Sequence, residues 1–348
     1  MKKQLFYSFL LVYFIFSNNL FPQDVKSLEV SQLFISQKIL PVKLSYSNKF
    51  IKKNTNDSTY IKTDLSYKEN DSWKNIDVEI RVRGGFRRRT CYFTPMKLKI
   101  KKVNSKETLF KGNKKLKLVL SCLRLDGAND EVVNEYMAYK LYEVISPYHF
   151  KTRLLDVDYM EVKGKKTINH KLKGIFIEDD KKVAKRHNAK RLKNFIHPLG
   201  QDAITSVQNA FFQYMIGNTD YSTGKLHNEK LLYLNKKAIP VPYDFDMSGL
   251  VDASYAIVSQ ISKEPLDIKK VTERMYRGFK RDEKIFQQVR KEFLDKKAII
   301  FDIIDSFEPF YDHKSNFTTA RMFISDFFEI MSDDAQFRMQ IIGQARSR

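Results

Sequence analysis

Between residues 39 and 120 apolar and polar side chains alternate in short runs. "VKLSY", "TYIKTDLSY", "IDVEIRVRG", "MKLKIKK" and "KLKLVL" are separated by clusters of Asn, Lys and Gly. A period of two gives each run one apolar face, and that face must be covered. The pattern predicts an antiparallel sheet of about five strands. The period then changes. "NDEVVNEYMAYKLYEVI" places Val133, Met137, Leu141 and Val144 at helical spacing, with Asn129 or Asp130 as N-cap. Two further strands, "TRLLDVDYMEV" and "KLKGIFIED", precede a mainly helical region that begins near Asp202. There "DAITSVQNAFFQYMIG" ends on Gly217, a suitable residue after a helix C-terminus, and "KLLYLNKKAIPVPYDFD" reads as a hairpin. The order predicts an α+β chain: a strand-rich part with one helix at residues 24–180, and a helical part at 181–348 that contains the hairpin.

The first residues, "MKKQLFYSFLLVYFIFSNNLFPQD", set two lysines before an apolar run from Leu5 to Phe16. This layout predicts a signal peptide at residues 1–23, with an uncleaved anchor as the alternative, and hence a periplasmic or extracellular protein. No later segment is long and apolar enough to predict an integral membrane domain. Export permits a disulfide between the two cysteines, Cys91 and Cys122; two buried thiols are the other reading. The formal charge is +21, of which Lys2 and Lys3 leave with the leader, so +19 remains. Such a surface attracts nucleic acid, anionic lipid or acidic glycans, but the lysines are dispersed and suit a general basic surface equally well. No nucleic-acid motif accompanies the charge, and export disfavours that partner. No Gly-x-Ser-x-Gly elbow is present, and two Cys with six scattered His lack zinc-ligand spacing.

The segment from Gly217 to Asp246 carries the densest chemistry. Asp220 follows the helix in a loop, Asn228 opens one hairpin strand, and Asp244 closes the other. A hairpin brings its two ends together, so an acid, an amide and a second acid converge. Hard oxygen donors of this kind suit Mg²⁺ or Mn²⁺ on phosphate oxygens. Taken singly, Asp220 and Asp244 are ordinary turn residues and Asn228 an ordinary hairpin residue. Their order along the chain points to phosphoryl transfer. Asp246 reads as a second metal ligand or as a cap for the following "MSGL" turn.

"Asn218-Thr219-Asp220", "His227-Asn228" and "Val241-Pro242-Tyr243-Asp244-Phe245-Asp246" resemble, in order and approximate spacing, the active-site elements of the CotH (spore-coat protein H) kinase-like family and of HipA-type atypical kinases. The resemblance covers mainly residues 80–250. It implies a two-lobe protein-kinase-like fold, ATP or another nucleotide, and a divalent metal. It also implies Asp220 as the catalytic carboxylate that orients or deprotonates the acceptor hydroxyl, and Asn228, Asp244 and Asp246 as metal ligands.

Such a site needs a cation for the nucleotide phosphates, steadied by a helix carboxylate. Lys117, on the strand before the helix, is the candidate, with Glu135 or Glu131 as its partner; Lys97 and Lys99 compete with it. "RVRGGFRRRTCYF" offers Arg83, Gly84 and Gly85 as a phosphate cradle, with Arg87, Arg88 and Arg89 beside it, or else as a plain basic hairpin. Glu178 ends a strand where it would join a hinge that contacts adenine, or else face water. The sequence therefore predicts an exported atypical kinase-like phosphotransferase that acts on a protein or envelope-polymer acceptor. The alternative is an inactive, pseudokinase-like module that binds an envelope polymer or acidic glycan.

Overall fold

The computed structural model describes residues 30–261 and 265–347; the leader expected at residues 1–23 lies outside them. The alternating runs form strands β1 Leu40–Tyr46, β2 Ile61–Glu69, β3 Ser72–Val82, β4 Met96–Lys99 and β5 Lys115–Leu120. Strands β6 Thr152–Lys163 and β7 Lys166–Glu178 come next. Together they close into a seven-stranded barrel of order β1-β2-β3-β4-β5-β7-β6. Six neighbouring pairs are antiparallel, and closure comes from a parallel pairing of β1 with β6, from Leu40 opposite Leu155 to Tyr46 opposite Glu161.

This closed barrel corrects the expected two-lobe protein-kinase-like fold. The strand-rich part is not an open sheet with one helix. It is a mixed barrel decorated by short helices, among them Asn48–Asn54 and Phe86–Thr90, in addition to the long helix Ala128–Ile145. Period-two alternation places side chains in or out of a sheet but does not say whether its edges meet. The closing pair joins segments more than a hundred residues apart, and nothing local in either reports the other.

Alternate residues fill the barrel: Val42 and Leu44 of β1, Leu65 and Tyr67 of β2, Val78 and Ile80 of β3, and Leu155 and Val157 of β6 are all buried in one cluster. The outward residues Val119, Leu154, Ile175 and Ile177 belong to a second cluster. There they meet Val133, Met137 and Leu141 of the helix Ala128–Ile145, and through it the helices Ala203–Met215, Glu283–Asp295, Lys297–Asp305 and Lys314–Ser332. One wall of the barrel thus serves both cores.

Strands β8 Lys190–Leu192, β9 Glu229–Leu234 and β10 Lys237–Pro242 form a separate antiparallel sheet of order β10-β9-β8. In the β9–β10 hairpin Glu229 lies opposite Pro242, which sets Asn228 beside Tyr243 at the open end. Among the described residues no helix is long and apolar enough to cross a membrane.

Candidate active site

Two left-handed residues shape the open end of the hairpin: Asn228 at φ 53° and Asp244 at φ 66°. Asn and Asp tolerate this conformation better than other side chains, and it turns each one out of line with its strand. The Tyr243 N–H donates to the Asn228 carbonyl at 3.0 Å, which pins the two ends. The Asp244 N–H donates to the Tyr139 hydroxyl at 2.9 Å. Tyr139, Glu135 and Glu131 are spaced by four on the helix Ala128–Ile145 and therefore share one face of it.

Asp220 sits in the loop between the helix Ala203–Met215 and β9. Its N–H donates to the Asn218 side chain at 2.9 Å, while Asn218 donates to Gln213 at 2.8 Å. Asn228 Nδ2 donates to the Asp220 carbonyl at 2.8 Å and to its Oδ2 at 3.0 Å; the Ser259 hydroxyl donates to Oδ1 at 3.0 Å. His227 Nε2 lies 3.4 Å from the same Oδ2, and this carboxylate raises the His227 pKa. Below the loop, buried Glu229 accepts from Asn209 at 2.7 Å and Thr223 at 3.2 Å.

From the barrel side comes the segment after β3. Gly84, at φ +81°, turns the chain, and a side chain added at Gly84 or Gly85 would meet nothing within 4 Å. The segment is not a plain hairpin but a turn into the helix Phe86–Thr90, which delivers Arg87 to the centre of the site. The Arg87 Nη2 donates to Asp244 Oδ1 at 2.5 Å, its Nε lies 2.9 Å from Asp246 Oδ2, and its Nη1 is 3.4 Å from Glu135 Oε2. Tyr255 also donates to Asp246, at 3.1 Å.

Burial and charge compete at each carboxylate. At Asp244 burial works upward, but Arg87, Arg83 and Lys117 outweigh it and hold the carboxyl at about 2. Asp246 is pushed up to about 6 by burial against the pull of Arg87, with Asp244 and Asp220 adding repulsion. Glu135 is pushed up to about 8 by burial, only partly offset by Arg87. One guanidinium therefore brings only the nearest of its three acids below its ordinary value.

Arg83, Gly84, Gly85, Arg87, Asp220, Asn228, Asp244 and Asp246 line one cavity of about 300 Å³ between the barrel and the helical region. Other candidates lie elsewhere. Lys117 does not pair with Glu135; its ammonium is buried, 3.8 Å from the Tyr243 ring centre and 5.0 Å from that of Phe150. Burial, then the nearby Arg83, lower it to about 7. Glu131 accepts from the Ser254 N–H at 2.8 Å. Glu178 accepts from Arg186 at 2.6 and 2.8 Å and from the Lys151 N–H at 2.6 Å, and it lines a different cavity. Sequence reasoning misses Arg87 as the partner of Glu135 because nothing in "FRRRT" separates the buried arginine from its exposed neighbours. Tyr139 is open to discovery, one turn beyond Glu135.

Among the described residues no three His, Cys, Asp or Glu side chains are grouped to hold a metal ion. Asp244 Oδ2, Asp246 Oδ1 and Asn228 Oδ1 accept none of the hydrogen bonds above, and Asp244 is the more exposed of the two acids. One carboxylate and one amide oxygen suit Mg²⁺ or Mn²⁺ carried largely by substrate phosphates, and do not make an all-protein cage. Cys91 and Cys122 form a disulfide, with Cα atoms 4.6 Å apart, which fixes the end of the arginine helix against the residues after β5. Comparison with protein-family models and with curated proteins gives no match to this chain.

Proposed function

We propose that this chain is an exported phosphotransferase that moves a phosphoryl group from ATP or another nucleotide to a hydroxyl on a protein or envelope polymer. The observation that carries the proposal is the meeting, in one cavity, of Asp220, Asn228 and Asp244 with Arg83 and the open Gly84–Gly85 backbone. The motif order that resembles the CotH family supports the same chemistry without its fold, because function resides in the site. The Cys91–Cys122 bridge supports an oxidising compartment.

In this reading Asp220, steadied by Asn228 and Ser259, takes the proton of the acceptor hydroxyl as the new oxygen–phosphorus bond forms and the bond to the nucleotide breaks. Arg83 and the backbone of Gly84 and Gly85 neutralise and orient the phosphates. Lys117 adds positive potential from behind Tyr243. Asn228 and Asp244 would hold Mg²⁺ or Mn²⁺, which supplies further neutralisation of phosphate charge when bound.

A second reading, an inactive module that binds an acidic glycan or envelope polymer, is favoured by one observation: Arg87 already engages both Asp244 and Asp246. A thermal-shift titration with ATP and Mg²⁺ or Mn²⁺, paired with a radiolabelled transfer assay, separates the two. The transferase reading expects stabilisation of roughly 2.7 kcal/mol at a hundredfold excess over Kd. Asp244→Asn should remove most of that stabilisation, and Asp220→Ala should keep it while losing transfer. Stabilisation without transfer in the wild type selects the binding module. No stabilisation with any nucleotide–metal pair rejects nucleotide binding altogether.

A further inference from the structure

Arg87 is the most heavily engaged cation in the cavity, and its position bears on how many metal ions the site can take. It is 7 % exposed, and all three of its guanidinium nitrogens face carboxylates that come from separate parts of the chain. Glu135 belongs to the helix Ala128–Ile145, while Asp244 and Asp246 come after the hairpin. The planar fork spans the two aspartates from below: Nη2 on Asp244 Oδ1, Nε on Asp246 Oδ2. A divalent ion bridging the aspartates through Asp244 Oδ1 and Asp246 Oδ2 would need the same oxygens, and one bridging their other oxygens would meet the repulsion of the guanidinium charge.

We infer that Arg87 is a built-in cation that takes the place of a second divalent ion, so that the site accepts one metal ion with its nucleotide and not two. The inference rests on the phosphoryl-transfer reading and specifies its cofactor. Three features support it. The segment that carries Arg87 is anchored directly behind it, because Cys91 succeeds the helix Phe86–Thr90 and is bridged to Cys122. The guanidinium cannot shed its charge at any ordinary pH, and it is held by paired bonds of the strong, charge-assisted kind. Asp246 Oδ2 also accepts from Tyr255, and the residue is only 4 % exposed. With the guanidinium charge between the two aspartates, the more exposed Asp244 Oδ2 and Asn228 Oδ1 serve a single ion. Arg87 is thus a residue that sets cofactor stoichiometry, acting through the aspartates that it covers.

The test is a count of Mn²⁺ by electron paramagnetic resonance. The protein is titrated with Mn²⁺ in the presence of saturating β,γ-imido ATP, and a protein-free titration of the same nucleotide serves as the control. Wild type should bind one Mn²⁺ per chain in excess of that control. Arg87→Gln should bind two, the second at least tenfold tighter than any second ion in wild type. Arg87→Lys, which keeps a charge at the position, should remain at one. Two ions in wild type, or one in a folded Arg87→Gln protein, overturn the inference while leaving nucleotide binding intact. Two ions in wild type overturn the inference even if Arg87→Gln fails to fold. No protein-dependent Mn²⁺ in wild type or variant overturns the inference together with the phosphoryl-transfer reading.

Discussion

Glu135 is 2 % exposed, its nearest cationic nitrogen is 3.4 Å away, and its second oxygen has no hydrogen-bond partner. An acid whose pKa is raised in the folded chain keeps a proton that the unfolded chain has released. Stability therefore falls as pH rises from the ordinary carboxylate range to about 8, the Glu135 value. Asp246, raised to about 6, adds to the lower part of that window. Asp244, held at about 2, works in the opposite sense: its contribution is present above the ordinary value and lost only in strong acid. At about 1.4 kcal/mol per pKa unit, wild type should lose on the order of 3 kcal/mol between pH 5.5 and 8. Glu135→Gln should flatten that slope, as read from urea midpoints at the two pH values. Equal slopes would mean that Glu135 is ionised throughout. The residue types of this cluster are legible in the sequence, whereas its pairing is not. Three consecutive arginines present identical chemistry until the turn of a five-residue helix buries only Arg87.

Elements whose signals are local are the ones the sequence announces best. The helix Ala128–Ile145 and the β9–β10 hairpin fall where periodicity and turn residues set them, and the hairpin alone is enough to bring Asn228 beside Asp244. The Gly84–Gly85 segment misleads because glycines announce a turn without saying whether a strand or a helix comes after it. Spacing in sequence carries no distance, so it leaves Cys91 and Cys122 open between a bridge and free thiols. Their disulfide joins the helix Phe86–Thr90 to the residues before Ala128–Ile145, with a sequence separation of 31. A loop of that length corresponds to about 3–4 kcal/mol in the chain-entropy picture. Cys91→Ser with Cys122→Ser should cost that much in a denaturant titration. The Cys91 N–H donates to the Arg87 carbonyl at 2.9 Å, and the Cys91 carbonyl accepts from Lys52 at 2.7 Å. Amide exchange should therefore quicken first at residues 86–91. Unchanged protection there would show that Arg87, and not the bridge, holds the segment.

At the scale of the whole molecule the barrel and the helical region are two cores built on one wall. Val119, Leu154, Ile175 and Ile177 face the helices, while Leu118, Leu155 and Phe176 of the same strands face the barrel interior. This arrangement is not legible in the sequence, because barrel closure depends on β1 meeting β6 and neither strand encodes its distant partner. The shared wall has an energetic consequence. If the barrel opens, strands β5, β6 and β7 lose the interior contacts that hold their register, and the helix Ala128–Ile145 loses the surface it rests on. If the helices leave, the outer apolar face of the same three strands meets water, at roughly 25 cal/mol per Å² of apolar surface. Neither core is complete alone, so the chain should unfold as one unit. Leu44→Ala in the barrel should cost about 2–5 kcal/mol, and Phe327→Ala among the helices about 3–5 kcal/mol. Both side chains are buried, Leu44 at 1 % and Phe327 at 0 % exposure. Each substitution should shift a single transition that far-ultraviolet circular dichroism and tyrosine fluorescence report at the same midpoint. Two separated transitions, one moved by each substitution, would show that the barrel and the helical region fold independently and that the wall belongs to only one of them.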